Sequence, residues 1–203
     1  MLLIGDVHGK FKECKKIVTE NPGKTIIQVG DFGVGFPGQS TLPTFPENFY
    51  FIRGNHDNPA VARAHPNYLG DYGVKIIDDR KVFYLSGAWS IDQRFRRSGL
   101  TWWYDEELSI KELEDAFELY INERPEIVLS HDCPTKVAAH ILLRHSLYGN
   151  PEVYPTRTGQ ALSAMFSAYQ PKYWNFGHYH ADWEKTIEGT EFQCLNELSI
   201  SEL

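Results

Sequence analysis

Cysteine is scarce in this chain: Cys14, Cys133 and Cys194 are the only three in 203 residues, and no two stand in a CxxC spacing. An odd, scattered trio excludes a disulfide framework and a cysteine zinc cage, and it fits a reducing compartment, so a cytoplasmic location is expected. Positive charge is also short, with 20 Lys and Arg against 27 Asp and Glu and a formal net charge of -7. That balance has the wrong sign for gripping extended DNA or RNA through its phosphates, although a local basic pocket stays open as a reading. No uninterrupted apolar run approaches the ~20 residues needed to cross a bilayer, so no membrane partner is expected. The opening MLLIGDVHG meets acidic and glycine residues almost at once, without the charged n-region and cleavage site of an export signal, and none is expected. Internal repeats, low-complexity tracts and interdomain linkers are absent.

What is present suffices for a packed core: 42% of residues are hydrophobic and 14% aromatic, enough for one α/β domain over residues 1–203. Apolar runs at 2–5, 25–30, 49–53, 126–129 and 172–176 read as buried strands, and 74–77 with 81–85 as a strand pair. Helices are expected at 10–19, 59–64, 109–122, 134–143 and 159–169. The one at 109–122 carries the clearest start signal, Ser109 as N-cap with Glu112 completing a capping box. Residues 183–187 and 191–195 resemble a hairpin turning at Glu188-Gly189. Residues 86–108 look irregular, and 146–157, with Gly149, Pro151 and Pro155, read as a candidate mobile flap.

Polar residues follow the strands in a regular way. Asp6-x-His8, Gly30-Asp31, Gly54-Asn55-His56-Asp57, Ser130-His131 and Gly177-His178-x-His180 each stand where an apolar run closes on Gly or Ser. Open α/β sheets place ligand-binding groups beyond the carboxyl ends of their strands, so function should collect on one edge. Imidazole and carboxylate together suit manganese, iron, Zn²⁺ or Ni²⁺, and the lack of cysteine in any motif argues against a structural zinc site. Singly, each motif is also what a helix cap, a turn or a solvated surface pair looks like; the ordered set of five is not.

The ordered set, from Asp6 to His180, resembles the calcineurin-like metallophosphoesterase family, in the form of its small bacterial and phage members. The resemblance implies a two-sheet α/β sandwich flanked by helices. It implies one divalent cation held by Asp6, His8, Asp31 and His180, and a second held by Asp31, Asn55, His131 and His178, with Asp31 bridging. Manganese is the first expectation, with iron, Zn²⁺ or Ni²⁺ as alternatives. Two cations about 4 Å apart clamp the attacking and leaving oxygens of an in-line displacement and lower the pKa of a bridging water. His56 belongs to no metal in that scheme. The resemblance gives it the proton of the leaving oxygen, which is general acid work, while Asp57 is expected to shape the turn.

Departures from the pattern bear on substrate. Protein serine/threonine phosphatases of the superfamily carry Asp and Arg shortly after the bridging Asp, where this chain has Val34 and Gly35, although its Arg53-Gly54-Asn55-His56 run is similar to theirs. Arg53 is a candidate phosphate ligand, or the partner of a neighbouring carboxylate. Residues 86–92, with Arg94, Arg96, Arg97 and Trp102-Trp103-Tyr104, resemble an insertion of the small members. That mixture could bind a phosphate, with Arg97 as the candidate, and stack on a base, or it could pack against the core. His65, His140 and His145 fall outside the motifs and are expected at the surface or on helices. The expected activity is hydrolysis of a phosphate ester, monoester or diester, in a small phosphorylated compound, a nucleotide or a short nucleic-acid end. A nuclease, a protein phosphatase and a non-catalytic scaffold of the same fold are the alternatives.

Overall fold

A computed structural model of the chain describes residues 1–39, 42–145 and 155–203. The elements run β1 (Leu2–Ile4), α1 (Phe11–Glu20), β2 (Ile26–Val29), β3 (Phe49–Ile52), α2 (Pro59–Arg63), β4 (Tyr72–Ile77), β5 (Arg80–Leu85), α3 (Ile110–Glu123), β6 (Ile127–Ser130), α4 (Thr135–His145), α5 (Arg157–Ala168), β7 (Tyr173–Phe176), β8 (Trp183–Ile187), β9 (Thr190–Cys194) and β10 (Ile200–Glu202). One sheet has the order β10-β1-β2-β3 and the other β4-β5-β6-β7-β9-β8. The expected α/β architecture, two sheets flanked by helices, is what forms.

Strand alternation builds the layers. Leu3, Ile27, Val29 and Ile52 of the first sheet meet Val82, Tyr84, Ile127 and Leu129 of the second, and this cluster is the filling between the sheets. The intervening side chains point the other way. Leu2, Ile4, Ile26, Phe49 and Phe51 pack with Cys14 and Val18 of α1 and Ala62 of α2, while Phe83, Val128, Trp174 and Phe176 pack with residues of α3, α4 and α5. Strands covered on both faces read as continuous hydrophobic runs, which is why they were visible without alternation. The capping box on α3 is formed: Ser109 accepts from the Glu112 N–H, and Glu112 accepts from the Ser109 N–H. Glu188 and Gly189, both with positive φ, make the tight turn between β8 and β9.

Parallel pairing brings the chemistry to one edge. β1, β2 and β3 run parallel, as do β5, β6 and β7, so each set ends on the same side of its sheet. The two sets of ends are tied across the sandwich by His131, whose Nδ1–H donates to the Val29 carbonyl at 2.9 Å. β10 was not expected; its three residues pair antiparallel with β1. His65 corrects another expectation. It is 4% exposed, its Nε2 2.9 Å from the Pro43 carbonyl and its ring edge-on to Phe51. The flap expected at 146–157 and the side chain of His145 lie largely outside the described residues. Among those residues, no helix is long and apolar enough to cross a membrane.

Candidate metal centre

Three glycines make the edge dense. A Cβ on Gly30 would overlap the His131 ring, one on Gly54 would overlap Asp31 Oδ1 and His131 Nε2, and one on Gly177 would overlap Asp6 Oδ1. Each strand-end glycine is thus the space another strand's polar side chain occupies. Four residues at this edge, His8 (φ 47°), Asp31 (φ 55°), His178 (φ 69°) and His180 (φ 47°), hold a left-handed backbone that L side chains rarely adopt. Gln28 locks the ends of β1 and β2 together by donating to the Gly5 carbonyl at 3.1 Å and to the Gly30 carbonyl. Asp57 shapes the neighbouring turns, accepting N–H groups of Phe32 (3.1 Å), Gly33 (2.6 Å), Val34 (3.0 Å) and Gly54 (2.8 Å).

Asp6, His8, Asp31 and His180 each offer an atom to one cluster, all within 4.8 Å of one another. His180 Nε2 is 3.1 Å from Asp6 Oδ2, and His8 Nε2 is 3.8 Å from both Asp6 Oδ2 and Asp31 Oδ2. A second group adjoins it. His131 Nε2 lies 3.2 Å from Asp31 Oδ1 and 3.2 Å from Asn55 Oδ1, and the His178 ring centre is 5.0 Å from that of His131. Asp31 stands between the groups, one oxygen toward His8 and the other toward His131. The first group is open, with the His180 side chain 51% exposed; in the second, Asp31, Asn55 and His131 are buried.

Electrostatics follow from that packing. Burial works against charge on Asp31, but the imidazoles of His131, His56 and His8 outweigh it and hold the carboxyl well below its usual range. Burial likewise disfavours a charged His131, yet Asp31 and Asp6 raise its pKa to about 10. The buried carboxylates therefore demand positive charge, and a proton or a cation on the same nitrogen can supply it. His180 is raised chiefly by its hydrogen bond to Asp6, and His178 is lowered by burial.

His56 stands at the rim. Its backbone N–H donates to Asp31 Oδ1 at 2.7 Å, its ring centre is 4.9 Å from that of His8, and burial takes its pKa down to about 4. Against Nε2 of His56 lies the guanidinium of Arg96, which also donates to the Asn55 carbonyl at 3.2 Å and pairs with Asp92 at 2.8 Å. The arginine that reaches the centre is therefore Arg96 and not Arg97, which is exposed and donates its backbone N–H to Thr101. A 3-10 turn, Gln93–Phe95, stands just before them, and the Arg96 backbone N–H donates to the Gln93 carbonyl. Arg53 also departs from its role as phosphate ligand. Its side chain is fully buried, with Nε on Asp71 Oδ1 at 2.8 Å and Nη1 donating to the Glu106 carbonyl at 2.6 Å, so it takes the alternative of pairing with a carboxylate.

A family model for calcineurin-like phosphoesterases matches residues 1–182. The chain belongs to the calcineurin-like phosphoesterase family. Within that family, the catalogue of known proteins gives a local match to the serine/threonine-protein phosphatase PP1-delta of Caenorhabditis elegans, 28% identical over 81 residues, 34% of this chain and 26% of the relative. The chain thus spans about a quarter of that relative's length. Two solved structures are similar at low identity. A putative 5'-nucleotidase from Staphylococcus aureus has a TM-score of 0.52 at 14% identity, over 98% of this chain and 49% of that one. GAP50, described as the anchor in the inner membrane complex of Plasmodium, has 0.51 at 11%, over 97% and 71%. At these identities the likeness is one of fold.

Proposed function

We propose that the chain is a two-metal-dependent phosphoesterase acting on a small phosphorylated or nucleotide-like substrate, with Asp6, His8, Asp31 and His180 holding one cation and Asp31, Asn55, His131 and His178 the other. The observation that carries this reading is Asp31, a buried carboxylate with one oxygen in each donor group. The donor set fits divalent cations: two carboxylates, an amide oxygen and four imidazoles leave net positive charge to attract phosphate, and manganese is the first candidate. Bound there, the pair would supply Lewis acidity toward phosphoryl oxygens and a lowered pKa for water.

The chain's own side chains complete the reaction. A phosphate entering beside His8 would draw the Nη2 group of Arg96 away from the neutral His56 ring, while Nε stays on Asp92, because an anion is a better acceptor for the guanidinium than a ring nitrogen. His56 Nε2 is thereby released, and with an anion beside it in place of the guanidinium that adds to burial in lowering its pKa, it can take up from water the proton that it passes to the leaving oxygen. The hollow beside it, about 250 Å³ and lined by His8, Gly9, Gly33, Phe36, Gln39 and His56, has room for a small esterified group. Phe36 lies nearly parallel to His56, at 14° with ring centres 6.1 Å apart.

The test is a hydrolysis panel with metal-stripped and Mn²⁺-reloaded protein: an aryl monoester, an aryl diester, 2′,3′-cyclic nucleotides, dinucleoside polyphosphates, single-stranded DNA and a phosphopeptide. Activity on the small esters only after reloading is expected. Full activity without a bound transition metal would sink the mechanism, and inertness toward every arm would favour the scaffold reading. Protein phosphatase is a second reading on the local match to PP1-delta. Against it, Arg53 is buried and a side chain at Gly35 would meet Asn58 and Val61; the phosphopeptide arm decides.

A further inference from the structure

Asn55 is the one amide among the proposed ligands, and it can face the metals the wrong way round, since it presents either an oxygen or an NH₂ group and only the oxygen has lone pairs to give. Nothing on its own loop settles the choice. Its Nδ2 donates to Ser90 Oγ at 3.1 Å, which turns Oδ1 inward to 3.2 Å from His131 Nε2. The Ser90 hydroxyl has a single proton, and that proton is already committed: Oγ donates to Glu106 Oε2 at 2.5 Å, while Glu106 Oε1 accepts the Ser90 backbone N–H at 2.9 Å. Ser90 can therefore offer Asn55 only a lone pair, and a lone pair accepts only the amide's NH₂. Asn55, Ser90 and Glu106 are each buried, at 3%, 0% and 3% exposure, so water does not scramble this order.

We propose that Ser90 and Glu106 are positioning residues that set the amide of Asn55 with its oxygen toward the metals, and that this relay makes the position a site for asparagine and not for aspartate. The inference rests on Asn55 being a metal ligand. It gives residues 86–106 a role besides substrate contact: they supply the parts that orient the loop after β3. Asn55→Asp would set a carboxylate oxygen against the Ser90 lone pair. Glu106→Gln would reverse the relay, because the new amide oxygen can still accept the Ser90 N–H while its NH₂ donates to Ser90 Oγ and frees the hydroxyl proton to point at Asn55. The asparagine would then be drawn to turn its oxygen outward, whereas the carboxylate of the Asn55→Asp variant would be satisfied.

The experiment is Mn²⁺ titration by calorimetry on the stripped full chain, with metal content by elemental analysis and a thermal melt for each variant. The parent is expected to bind two ions. Ser90→Ala and Glu106→Gln should each weaken one site about 10- to 100-fold, the usual cost of losing a group that orients a metal ligand, and leave the other unchanged. Glu106→Gln should act in the opposite direction on the Asn55→Asp background and strengthen the weakened site by at least about tenfold. Parent affinity at both sites in Ser90→Ala, or a double variant no tighter than Asn55→Asp alone, overturns the proposal. A parent that binds no second ion overturns the metal reading beneath it. If the Glu106 variants fail to fold, Ser90→Ala decides alone, since it removes the hydroxyl without adding volume or charge.

Discussion

Replacing Arg53 with alanine separates a structural arginine from a substrate-binding one. The side chain is fully buried, and the substitution removes the ion pair with Asp71 and the hydrogen bond to the Glu106 carbonyl while opening a cavity. Breaking a fully buried pair by deleting one partner costs about 3–5 kcal/mol. Asp71 is only partly buried, at 20% side-chain exposure, and keeps Arg63 at 2.8 Å, so its charge is not stranded. The cost therefore falls toward the lower end, about 3 kcal/mol. For a chain of this size each kcal/mol lowers the melting temperature by roughly 2–4 °C, which gives a fall of roughly 6–12 °C. A thermal melt, with urea denaturation as a check, measures it on protein of constant metal content. Because Arg53 also holds the backbone of Glu106, Arg53→Met should recover less stability than its volume suggests. An unchanged melting temperature with KM raised for every phosphorylated substrate would refute the argument and return Arg53 to the phosphate.

Further outcomes are expected at the centre itself. His56→Ala should lower turnover roughly 10²- to 10⁴-fold with metal content kept, the loss shrinking for good leaving groups; a variant that loses an ion would make His56 a ligand instead. Arg96→Ala should raise KM for phosphate esters while Arg97→Ala leaves it alone, and equal effects in steady-state kinetics would remove Arg96 from the phosphate site. Gly54→Ala should cost metal affinity in calorimetry, since its Cβ would stand 2.5 Å from His131 Nε2 and force that ring or Asp31 aside; parent affinity would mean the loop yields freely. Metal affinity should fall as pH is lowered, because imidazoles must be neutral to ligate and a cation must displace the proton that Asp31 favours on His131.

The strands and the polar residues that gather at the edge were legible because both are written in short local runs. An apolar stretch closed by glycine and a polar residue announces a strand end, and parallel pairing then carries Asp6, Asp31, Asn55, His131 and His178 to one edge. Contacts at long range were not legible. Nothing local to Arg96 or Arg97 says which one turns toward His56, because the contact that distinguishes them is made with a residue 40 positions away. Arg53 left both of its roles open until Asp71 was seen beside it. β10 has only three residues, too few for any periodicity, and exists because the β1 edge receives it. The packing of His65 against Phe51 depends on strand and loop meeting in space.

The left-handed backbones at His8, Asp31, His178 and His180 set stability and chemistry against each other at four positions. For an L residue that conformation costs roughly 1–2 kcal/mol, so the four together cost roughly 4–8 kcal/mol, a large fraction of the about 5–15 kcal/mol by which a folded chain exceeds its unfolded state. Glycine would relieve the cost at each place and can donate nothing to a metal. Selection for stability alone would drift all four toward glycine, quietening the fold as it removed the four side chains proposed as ligands. On the proposed function, a search for thermostable variants of this chain would for the same reason favour inactive ones, unless the screen demands metal as well as heat.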